Sequence, residues 1–591
     1  MQIVTNAKRS WEELTFVPQR RDRRNPKRLR PINAVDTETI NGLVWLIAEG
    51  NGAYDFPSSW LEVLRWFELC ELYKSTNFAW NLDYDARAIL ALLNEGELLE
   101  LAVTDRLVSP FYTVHYVPRK FLIIRYNGHR YEFFDLMQFF ASSLENASTE
   151  YLGQHKIGLD SRRISNDEQF RKEHRDEIIA YCQRDASLTR QLGELNNVLY
   201  SSLGVHSNKW YSTGYIASQY FLNHGHIPRL HFTEPERYAY YSYAGGRFEC
   251  FSRGYFENAY KYDITSAYPD VIRTLPDLDK GHWVRDTVVD YDADLIFARV
   301  RVAVPQHHVQ PLYIKHKNLV VYPTVDYHHR ILTKSELDLI DRYDLATIDV
   351  NEAWHFYADS KASPFASIED MFKRRQELRR EGDKRQLVLK VVMNSLYGKF
   401  IQITTEIVPE IKHKVGNIFL PCYASEITSR VRCRLVDTVL QNDLEPIAFF
   451  TDAILTEDKM NIPHSGLGAW SLEQVGELVL LGCGVYSFMS ENKADTHLRG
   501  FTRLHKENLF ELLAKNPDKS HISFTVERPI SLGEYAHRNL ASQGLHLNQW
   551  VNTIKELNIN FDHKRKWADK WARCSQVFDR SHTSVPVQVT V

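Results

Sequence analysis

The stretch FFTDAILTED, residues 449–458, places one carboxylate, Asp452, between two apolar runs. Three residues that favour a strand precede it, and Ala453, Ile454 and Leu455 follow it. A charge buried among apolar side chains is costly unless an opposite charge compensates it. The stretch therefore predicts that Asp452 lies on a strand and faces bound cations, which a second acidic segment helps to hold.

A second acidic segment, KYDITSAYP at 261–269, supplies the expected partner. Asp263 ends a predicted strand there, and the chain then turns toward Tyr268 and Pro269. Carboxylates from two neighbouring strands can share divalent cations, which prefer oxygen ligands. The competing interpretation, an edge-strand Asp452 in water, is disfavoured by this second segment.

A helical segment, KVVMNSLYGKF at 390–400, carries polar groups on one face. Lys390, Asn394 and Tyr397 fall at i, i+4 and i+7, on a predicted helix that ends at Gly398. A lysine, an amide and an aromatic ring suit the phosphate, sugar and base of a nucleoside triphosphate. An ordinary amphipathic helix is the alternative.

Two basic helices are predicted just before this segment. Residues 371–389, MFKRRQELRREGDKRQLVL, read as helices joined at residues 381–383. Arg375 and Arg379 lie four apart, on one face. Alone, this face is as typical of a solvated basic helix as of a phosphate-binding surface.

A separate acidic set lies near the N-terminus. In NAVDTET, residues 33–39, Asp36 and Glu38 are two apart on a predicted strand and point to one face. Alone, such a pair is more typical of a solvated strand end. Two further segments, WNLDYDARA at 80–88 and IIAYCQRDASL at 178–188, add more candidates: Asn81, Tyr84, Asp85, Tyr181 and Asp185. Four carboxylates suit a pair of hard divalent cations, and Tyr181 is placed to orient a water.

Length, charge and cysteine content limit the classes of protein to which the sequence can belong. The 591 residues allow about three to five folding units, and the net charge of −3 argues against a passive nucleic-acid coat. Seven scattered cysteines without a C-x-x-C pair predict reduced thiols. Basic clusters at 20–30, 373–390 and 563–571 predict separate surfaces along one phosphate-binding path, although each alone suits a solvated face. We expect no membrane association, because no apolar run approaches about 18 residues.

In their order, these segments resemble the motifs of family B DNA polymerases. The N-terminal set resembles the three motifs of the 3′→5′ exonuclease domain, and the segments at 261–269 and 390–400 resemble motifs A and B. Arg375 and Arg379 resemble the R-x-x-x-K pair of the fingers, which implies that they bind the incoming triphosphate. The resemblance implies a multidomain α/β and α+β fold, with an RNase H-like exonuclease and a right-hand polymerase of palm, fingers and thumb. It implies two Mg²⁺ ions at each site, with Mn²⁺ as a substitute, and makes Tyr268 the residue that blocks a ribose 2′-hydroxyl.

The third polymerase motif, usually Y-G-D-T-D-S, aligns with FFTDAILTED in two ways. If Asp452 takes the first aspartate's place, Ile454 takes the second and a metal ligand is lost. If Asp452 takes the second place, Thr451 matches the threonine and Phe450 replaces the first aspartate. We prefer the second alignment, because the second aspartate is the direct metal ligand in this family.

The chain is short for the family and resembles its protein-primed branch, in which a hydroxyl of a terminal protein serves as primer. Weak local motifs support the branch by their order: SLENA at 143–147, KIGL at 156–159, YAGG at 243–246, GVYSF at 484–488 and FDHKRKW at 561–567. Lys156 is expected to assist exonucleolysis. The residues expected to contact DNA or terminal protein are Asn81, Tyr84, Ser143, Leu144, Tyr243, Gly245, Gly246, Tyr486, Lys564 and Arg565. Gly484 departs from the branch's K-x-Y segment, so primer binding there requires another basic residue.

The resemblance sets the predicted domains. They are a basic arm that binds phosphate or terminal protein or is a disordered tail (1–31), the exonuclease (32–205), the first part of the palm (206–298), a first terminal-protein-region insertion (299–362), the fingers (363–400), a short second insertion (401–420), the second part of the palm (421–530) and the thumb (531–591).

The expected function is DNA-directed DNA synthesis with 3′→5′ proofreading on a linear viral or plasmid genome. The expected partners are template-primer DNA, deoxynucleotides and a terminal protein, for a monomer in the host cytoplasm. A polymerase-like DNA-binding scaffold, or an exonuclease with decayed synthesis, is the alternative that Phe450 and Gly484 keep open.

Overall fold

A computed structural model describes residues 9–16, 26, 28–316, 319–407, 411–462, 465–491, 493–501, 508–579 and 581–589. Most of the predicted basic arm, including residues 17–25 and 27, lies outside the described residues. In the described part, no helix is both long enough and apolar enough to cross a membrane.

The helices and strands are numbered in chain order. Up to residue 205 they are β1 (Leu14–Thr15), β2 (Ile32–Ile40), β3 (Leu43–Glu49), β4 (Tyr54–Asp55), α1 (Trp60–Leu69), β5 (Thr76–Ala79), α2 (Leu82–Leu90), α3 (Glu95–Thr104), β6 (Arg106–Val108), β7 (Tyr112–Val117), β8 (Phe121–Tyr126), β9 (His129–Asp135), α4 (Met137–Phe140), α5 (Leu144–Leu152), α6 (Ser161–Asn166), α7 (Glu168–Glu173) and α8 (Arg175–Ser201). From 206 to 362 they are α9 (Thr213–His224), α10 (Glu234–Ser242), β10 (Arg247–Cys250), β11 (Ser252–Ile264), α11 (Ala267–Ile272), β12 (Gly281–Asp286), β13 (Leu295–Val304), β14 (Ile314–His316), β15 (Leu319–Val321), β16 (Val325–Thr333), α12 (Lys334–Tyr343) and β17 (Thr347–Ala358). Beyond residue 362 they are α13 (Ser367–Arg380), α14 (Arg385–Ser395), β18 (Ile403–Glu406), β19 (Lys412–Val415), α15 (Pro421–Gln441), β20 (Pro446–Thr451), β21 (Ala453–Thr456), β22 (Trp470–Gly482), β23 (Val485–Ser490), β24 (Lys493–Leu498), α16 (Leu509–Ala514), β25 (His521–Pro529), α17 (Leu532–His537), β26 (Trp550–Asn558), β27 (Lys566–Trp567), α18 (Gln576–Asp579) and β28 (His582–Val585).

The N-terminal region is built on an eight-stranded sheet, in the order β4-β3-β2-β5-β9-β8-β7-β6. Strand β2 is central and buried on both faces, because α8 covers one face and the apolar residues of α1 and α2 cover the other. Asp36 and Glu38 lie beyond Ala34, the last residue of β2 that pairs with β5. This position brings Asp36 and Glu38 to a covered cleft.

The second large sheet has nine strands, and its main path is β10-β20-β21-β11-β22-β23-β24. Strand β11 lies between β21 and β22, so residues far apart in sequence meet at its end. Helix α15 packs behind the sheet with apolar residues such as Val431 and Val436. This sheet holds the predicted palm.

The predicted insertion at 299–362 has the wrong boundary. Strand β13 begins at Leu295 and pairs with β16 and β17, and β12 completes a four-stranded sheet that spans residues 281–358. A boundary at 299 would cut β13 in the middle of its pairing.

The short second insertion, predicted at 401–420, contains the antiparallel pair β18 and β19. Strand β1 adds to it in parallel, with Leu14 opposite His413. Trp11 packs there against Tyr240 and Phe419. The described residues before 17 are therefore part of the folded body, which the prediction of an arm over 1–31 missed.

The predicted boundary between palm and thumb at 530/531 is also wrong. Strands β25 and β26 form one hairpin, with Pro529 opposite Trp550. Residues between the strands, including Leu532 and Tyr535, pack into the apolar core of the N-terminal region. The chain then returns to the palm, where β28 pairs with β11.

Candidate polymerase and exonuclease sites

Asp452 lies in a tight turn between two strands. Strand β20 ends at Thr451, whose φ of 61° is left-handed, and β21 begins at Ala453. The Asp452 amide donates to the Phe450 carbonyl at 2.8 Å. The prediction of a strand running through Asp452 is wrong, because this turn splits the stretch into a hairpin and presents the carboxylate at its tip.

The turn stands beside the end of β11. Asp263 pairs with Ala453 in register, and the Ile264 amide donates to the Asp452 carbonyl at 3.0 Å. Burial and the nearby Asp452 charge raise the pKa of Asp263 to about 7, and burial also raises the pKa of Asp452. The two predicted residues therefore lie side by side, and their joint binding of metal stays a prediction.

A third carboxylate, Glu473, faces this pair, and no motif in the sequence pointed to it. Glu473 contributes to the raised pKa of both aspartates, after burial in each case. It lies where the pairing of β11 with β22 shifts register, between Lys261 and Tyr262. A register shift of this kind changes the direction of the side chain at that position, here Glu473. Lys261 forms an ion pair with Glu473 at 2.7 Å.

An aromatic stack fills the place of the missing first aspartate of the motif. Phe450 is 8% exposed and stacks between Phe248, at 5.8 Å, and Tyr486, at 5.1 Å between ring centroids. Tyr486 in turn stacks on His497 at 4.6 Å. Tyr486 is therefore a buried packing residue, which contradicts its prediction as a direct DNA contact.

Three tyrosines line the approach to the aspartate pair. The Tyr268 and Tyr397 rings lie 4.6 Å apart, and the Tyr397 hydroxyl is 2.7 Å from that of Tyr243. A side chain at Gly246 would come within 2.7 Å of Thr451, so glycine permits the hinge segment 243–246 to approach the turn. The hinge is otherwise held by a buried arginine, Arg432, which donates to the carbonyls of Ala244 and Gly245.

The predicted continuous helix through Tyr397 is wrong. Helix α14 ends at Ser395, and Tyr397 begins a 3₁₀ turn that ends at Ile401. Lys390 and Asn394 remain on α14, where both are exposed.

The two helices predicted for the fingers are confirmed, with a left-handed Gly382 between α13 and α14. Helix α13 packs beside α11, the helix that carries Tyr268. Arg375 is half-buried and its Nε has no hydrogen-bond partner among the described atoms, while Arg379 is exposed.

The N-terminal acidic set also comes together. The Thr37 amide and hydroxyl donate to Asp85 at 3.0 and 2.8 Å, which ties α2 to β2. Ligand atoms of Asp36, Glu38 and Cys182 lie within 4.8 Å of one another. Burial and the neighbouring Asp185 charge raise the pKa of Asp36 well above its usual range. The same two causes raise the pKa of Glu38 to about 8.

Burial raises the pKa of Asp85 to about 7 and also raises that of Asp185. Lys156 reaches Asp185 at 2.5 Å and lies 5.0 Å over the Tyr181 ring. The four predicted carboxylates, Lys156 and Tyr181 therefore share one site. Crowded, buried carboxylates of this kind fit divalent cations, which would neutralise their repulsion.

The site opens into a cavity of about 680 Å³, which Asn81 and Tyr84 also line. Its far wall comes from the β25–β26 hairpin, through Thr525, Trp550 and Asn552. Sequence reasoning missed this wall, because the hairpin lies several hundred positions from most of the acidic residues and carries no motif.

Comparison with known proteins agrees with this arrangement. The family model for DNA polymerase type B, organellar and viral, matches residues 126–408. The DNA polymerase of Acidianus bottle-shaped virus (isolate Italy/Pozzuoli) is 26% identical over 424 residues, which cover 65% of this chain and 61% of that protein. The DNA-directed DNA polymerase of Enterobacteria phage PRD1 is 23% identical over 527 residues, which cover 79% of this chain and 91% of that protein.

Over residues 126–408, the chain is similar to the type B DNA polymerases of organelles and viruses. The predicted resemblance to family B, with viral and bacteriophage relatives, is confirmed. The match spans 61% of the length of the Acidianus virus protein.

Solved structures show the same fold. Phi29 DNA polymerase complexed with primer-template DNA and incoming nucleotide substrates has a TM-score of 0.63 at 15% identity, covering 90% of this chain and 100% of that one. The orthorhombic crystal form of phi29 DNA polymerase gives the same values. The predicted fold class is confirmed.

Two residues predicted to bind DNA make internal contacts instead. Arg565 is 3% exposed and pairs with the buried Glu249 at 2.7 Å, so its prediction as a phosphate contact is wrong. Lys564 donates to the Phe248 carbonyl at 2.7 Å. Both residues fasten the C-terminal segment to β10.

The segment at 143–147 has a structural role in the described fold. Ser143 caps α5 by accepting from the Asn146 amide at 3.2 Å, and Leu144 is buried in the core. Ser143 itself is exposed, so its predicted contact with single-stranded DNA or terminal protein stays a prediction.

Proposed function

We propose that this chain is a DNA-directed DNA polymerase with a 3′→5′ proofreading exonuclease. The observation that carries the proposal is the placement of Asp263 and Asp452 side by side at the end of the palm strands, below Tyr268 and Tyr397. The similarity to type B DNA polymerases and the names of the viral relatives support the same activity.

Asp263 and Asp452 would hold two Mg²⁺ ions in the polymerase site, with Mn²⁺ as a substitute. Ions bound there would supply the positive charge that lowers the pKa of a primer 3′-hydroxyl and neutralises the triphosphate. The 3′-oxygen would then form a bond to the α-phosphate as the bond to pyrophosphate breaks. The raised pKa of Asp263 fits this role, since a cation would remove the repulsion that burial intensifies.

The remaining residues position the nucleotide. Lys390, Arg375 and Arg379, on the two finger helices, bind the triphosphate oxygens, and Asn394 adds an amide on the α14 surface. Tyr268 and Tyr397 pack as adjacent rings, which supports a floor under the sugar that excludes a 2′-hydroxyl. Positioning and preorganised charge account for most of such catalysis.

In the exonuclease site, Asp36, Glu38, Asp85 and Asp185 would bind a second pair of divalent cations. These cations would activate a water against the terminal phosphodiester and stabilise the leaving oxygen. Tyr181 orients that water, and Lys156 holds Asp185 in place through its ion pair.

The proposed cellular role is replication of a linear viral or plasmid genome, with a terminal protein supplying the priming hydroxyl. The enzyme would act as a monomer on template-primer DNA in the host cytoplasm. The match to bacteriophage polymerases of similar fold and length supports this branch. The scaffold alternative loses support, because Phe450 is accommodated in an ordered stack beside an intact aspartate pair.

The test uses the purified full chain on a labelled primer-template with Mg²⁺. Extension with all four deoxynucleotides, and shortening of the primer in their absence, are expected. No extension under any divalent cation would overturn the proposed synthesis, while shortening alone would identify a nuclease. For priming, the chain is mixed with a candidate terminal protein and labelled deoxynucleotide, and a labelled protein band is expected.

A further inference from the structure

A second cavity, of about 540 Å³, lies beside the hinge segment, and none of the proposed catalytic carboxylates lines it. The N-terminal residues 9–10, the end of α10 and strands β13, β14 and β16 enclose it. Its basic lining residues are Arg9, Arg299, Lys315, His328, His329 and Arg330. No acidic side chain is among the described residues that line it.

Four carboxylates lie just outside the cavity. Glu12 accepts from the Tyr241 hydroxyl and pairs with Arg237, and Glu13 accepts from the Ser10 amide. The other two are each shared between two arginines. Glu352 is shared by Arg299, at 2.8 Å, and Arg285, at 2.5 Å. Glu336 is likewise shared by Arg330, at 3.5 Å, and Arg432, at 3.2 Å. One carboxylate for two guanidinium groups leaves a surplus of positive charge on each side.

Two further cations add to the surplus. Within the described part of the chain, neither Arg9 nor Lys315 forms an ion pair with a carboxylate. The cavity therefore has the electrostatic character of an anion site. Burial, Arg330 and His329 also lower the pKa of His328, which is consistent with a strongly positive surrounding.

Arg330 is a buried cation among the residues that line the cavity. Its side chain is 8% exposed, and its guanidinium lies 3.9 Å over the Tyr313 ring. Its Nε is buried and has no hydrogen-bond partner among the described atoms. A buried donor without a partner destabilises the fold unless a ligand completes its hydrogen bond. Tyr241, Tyr243 and Tyr313 provide aromatic surface beside this donor.

The N-terminal segment is held in place as one wall. The Tyr240 hydroxyl donates to the Arg9 carbonyl at 2.7 Å, and the Trp11 amide donates to the Tyr241 hydroxyl at 3.0 Å. The pairing of β1 with β19 fixes the segment further. Arg9 thus belongs to a defined surface.

We propose that this cavity binds a phosphate and an adjoining base of single-stranded DNA, namely the unpaired 5′ extension of the template strand. Clustered cations beside aromatic rings are the chemistry that single-stranded nucleic acids require. The cavity shares Tyr243 with the polymerase site, where the Tyr243 hydroxyl meets that of Tyr397. The assignment to the template rests on the proposed polymerase function, whereas binding of single-stranded DNA does not.

The test compares binding of primer-templates with a 5′ template extension of about two or about twelve nucleotides, by fluorescence anisotropy in EDTA. The variant is Arg9→Ala with Lys315→Ala, two side chains at the surface whose loss leaves the core intact. The matched control is Lys74→Ala with Lys172→Ala, which removes the same charge from the exonuclease surface. Equal melting temperatures establish that all three proteins are folded.

For the long extension, we expect the variant to bind about tenfold more weakly than the parent. The slope of log K against log salt concentration should fall in magnitude by about 1.4, which corresponds to two lost phosphate contacts on a single strand. The short extension should bind with parental affinity, and the control should match the parent on both. Photocrosslinking of 5-iodouracil in the long extension should label a peptide containing Tyr241, Tyr243 or Tyr313.

Three outcomes would overturn the proposal. One is equal loss of affinity for short and long extensions. The second is displacement of the crosslink by free dATP but not by a single-stranded oligonucleotide, which would make this a site for free nucleotides. The third is displacement by an acidic peptide alone, which would make it a protein-docking site. Extension of the short substrate, assayed in parallel with Mg²⁺, tests the polymerase function separately.

Discussion

Asp263 lies directly beside Asp452, because the end of β11 pairs with the first residue after the β20–β21 turn. The two residues are 189 positions apart in the sequence. The nearby Lys261 is paired with Glu473 and therefore does not neutralise both aspartates. Two close carboxylates in a partly buried site repel each other, and bound cations would relieve this repulsion. This is the physical basis of the proposed metal-binding polymerase site.

The exonuclease and polymerase activities should separate by mutation. Replacing Asp36→Ala together with Glu38→Ala removes two of the four carboxylates in the N-terminal cleft, which does not include Asp263 or Asp452. Shortening of a single-stranded primer should fall to background, while extension keeps the parental rate. Loss of both activities in a folded variant would contradict two independent sites.

The acidic cleft should make the metal-free protein less stable at higher pH. The folded pKa of Glu38, about 8, exceeds its ordinary value of 4.5, so the folded state binds more protons than the unfolded state between these limits. Stability is therefore full at low pH and falls as pH rises through this window. A difference of one pH unit between the folded and unfolded pKa of a group corresponds to about 1.4 kcal/mol. The raised pKa of Glu38 should therefore lower the free energy of unfolding at high pH by on the order of a few kcal/mol.

Melting temperatures in EDTA, at pH 5 and pH 8, check this expectation. The parent should lose more stability on going to pH 8 than Asp36→Asn with Glu38→Gln does, and Mg²⁺ should restore the parent more at pH 8. An identical pH dependence for parent and variant would count against the charged cleft.

Glu473 should tune the acidity of the polymerase aspartates. Glu473→Gln removes a negative charge that helps to raise the pKa of Asp263 and Asp452. The acid limb of the pH profile for primer extension should therefore move to lower pH. Glu477→Gln, four residues further along β22, is the matched control and should leave the limb in place. A shift to higher pH, or none, would show that Glu473 does not act on the pair.

Trp550 should bind the unpaired primer end in the exonuclease cleft. Its ring belongs to the hairpin wall that faces the acidic residues. Stacking of one base is worth about 1–3 kcal/mol, so Trp550→Ala should raise the KM for single-stranded substrate about tenfold. Trp550→Phe should retain most of the affinity. A fall in kcat with unchanged KM would point to a different role.

Residues whose chemistry depends on local spacing could be predicted from the sequence. Asp36 and Glu38 share a face because strands alternate, and Arg375 and Arg379 share a helical face. The partnership of Asp263 with Asp452 followed from motif order. For Asp36 with Glu38, and for Arg375 with Arg379, the repeat of the strand or helix was enough to predict that the side chains share a face.

Residues set by long-range packing escaped prediction. Glu473 reaches the aspartates through a register shift, and Trp550 reaches the exonuclease cleft because residues 530–549 dock on the N-terminal core. Arg565 belongs to a basic run that predicts DNA binding, but its guanidinium forms a buried ion pair with Glu249. Composition alone does not distinguish a buried arginine from an exposed one.

The most direct test of the central claim is the rate of single-nucleotide incorporation by Asp452→Asn in the presence of Mg²⁺. Glu457→Gln, an exposed acid on the same hairpin, serves as the control. Incorporation by Asp452→Asn should fall to background, while primer shortening and the melting temperature stay close to parental and the control extends normally. Incorporation by Asp452→Asn at the parental rate would contradict the account, because the aspartate pair would then not be the site of nucleotide addition.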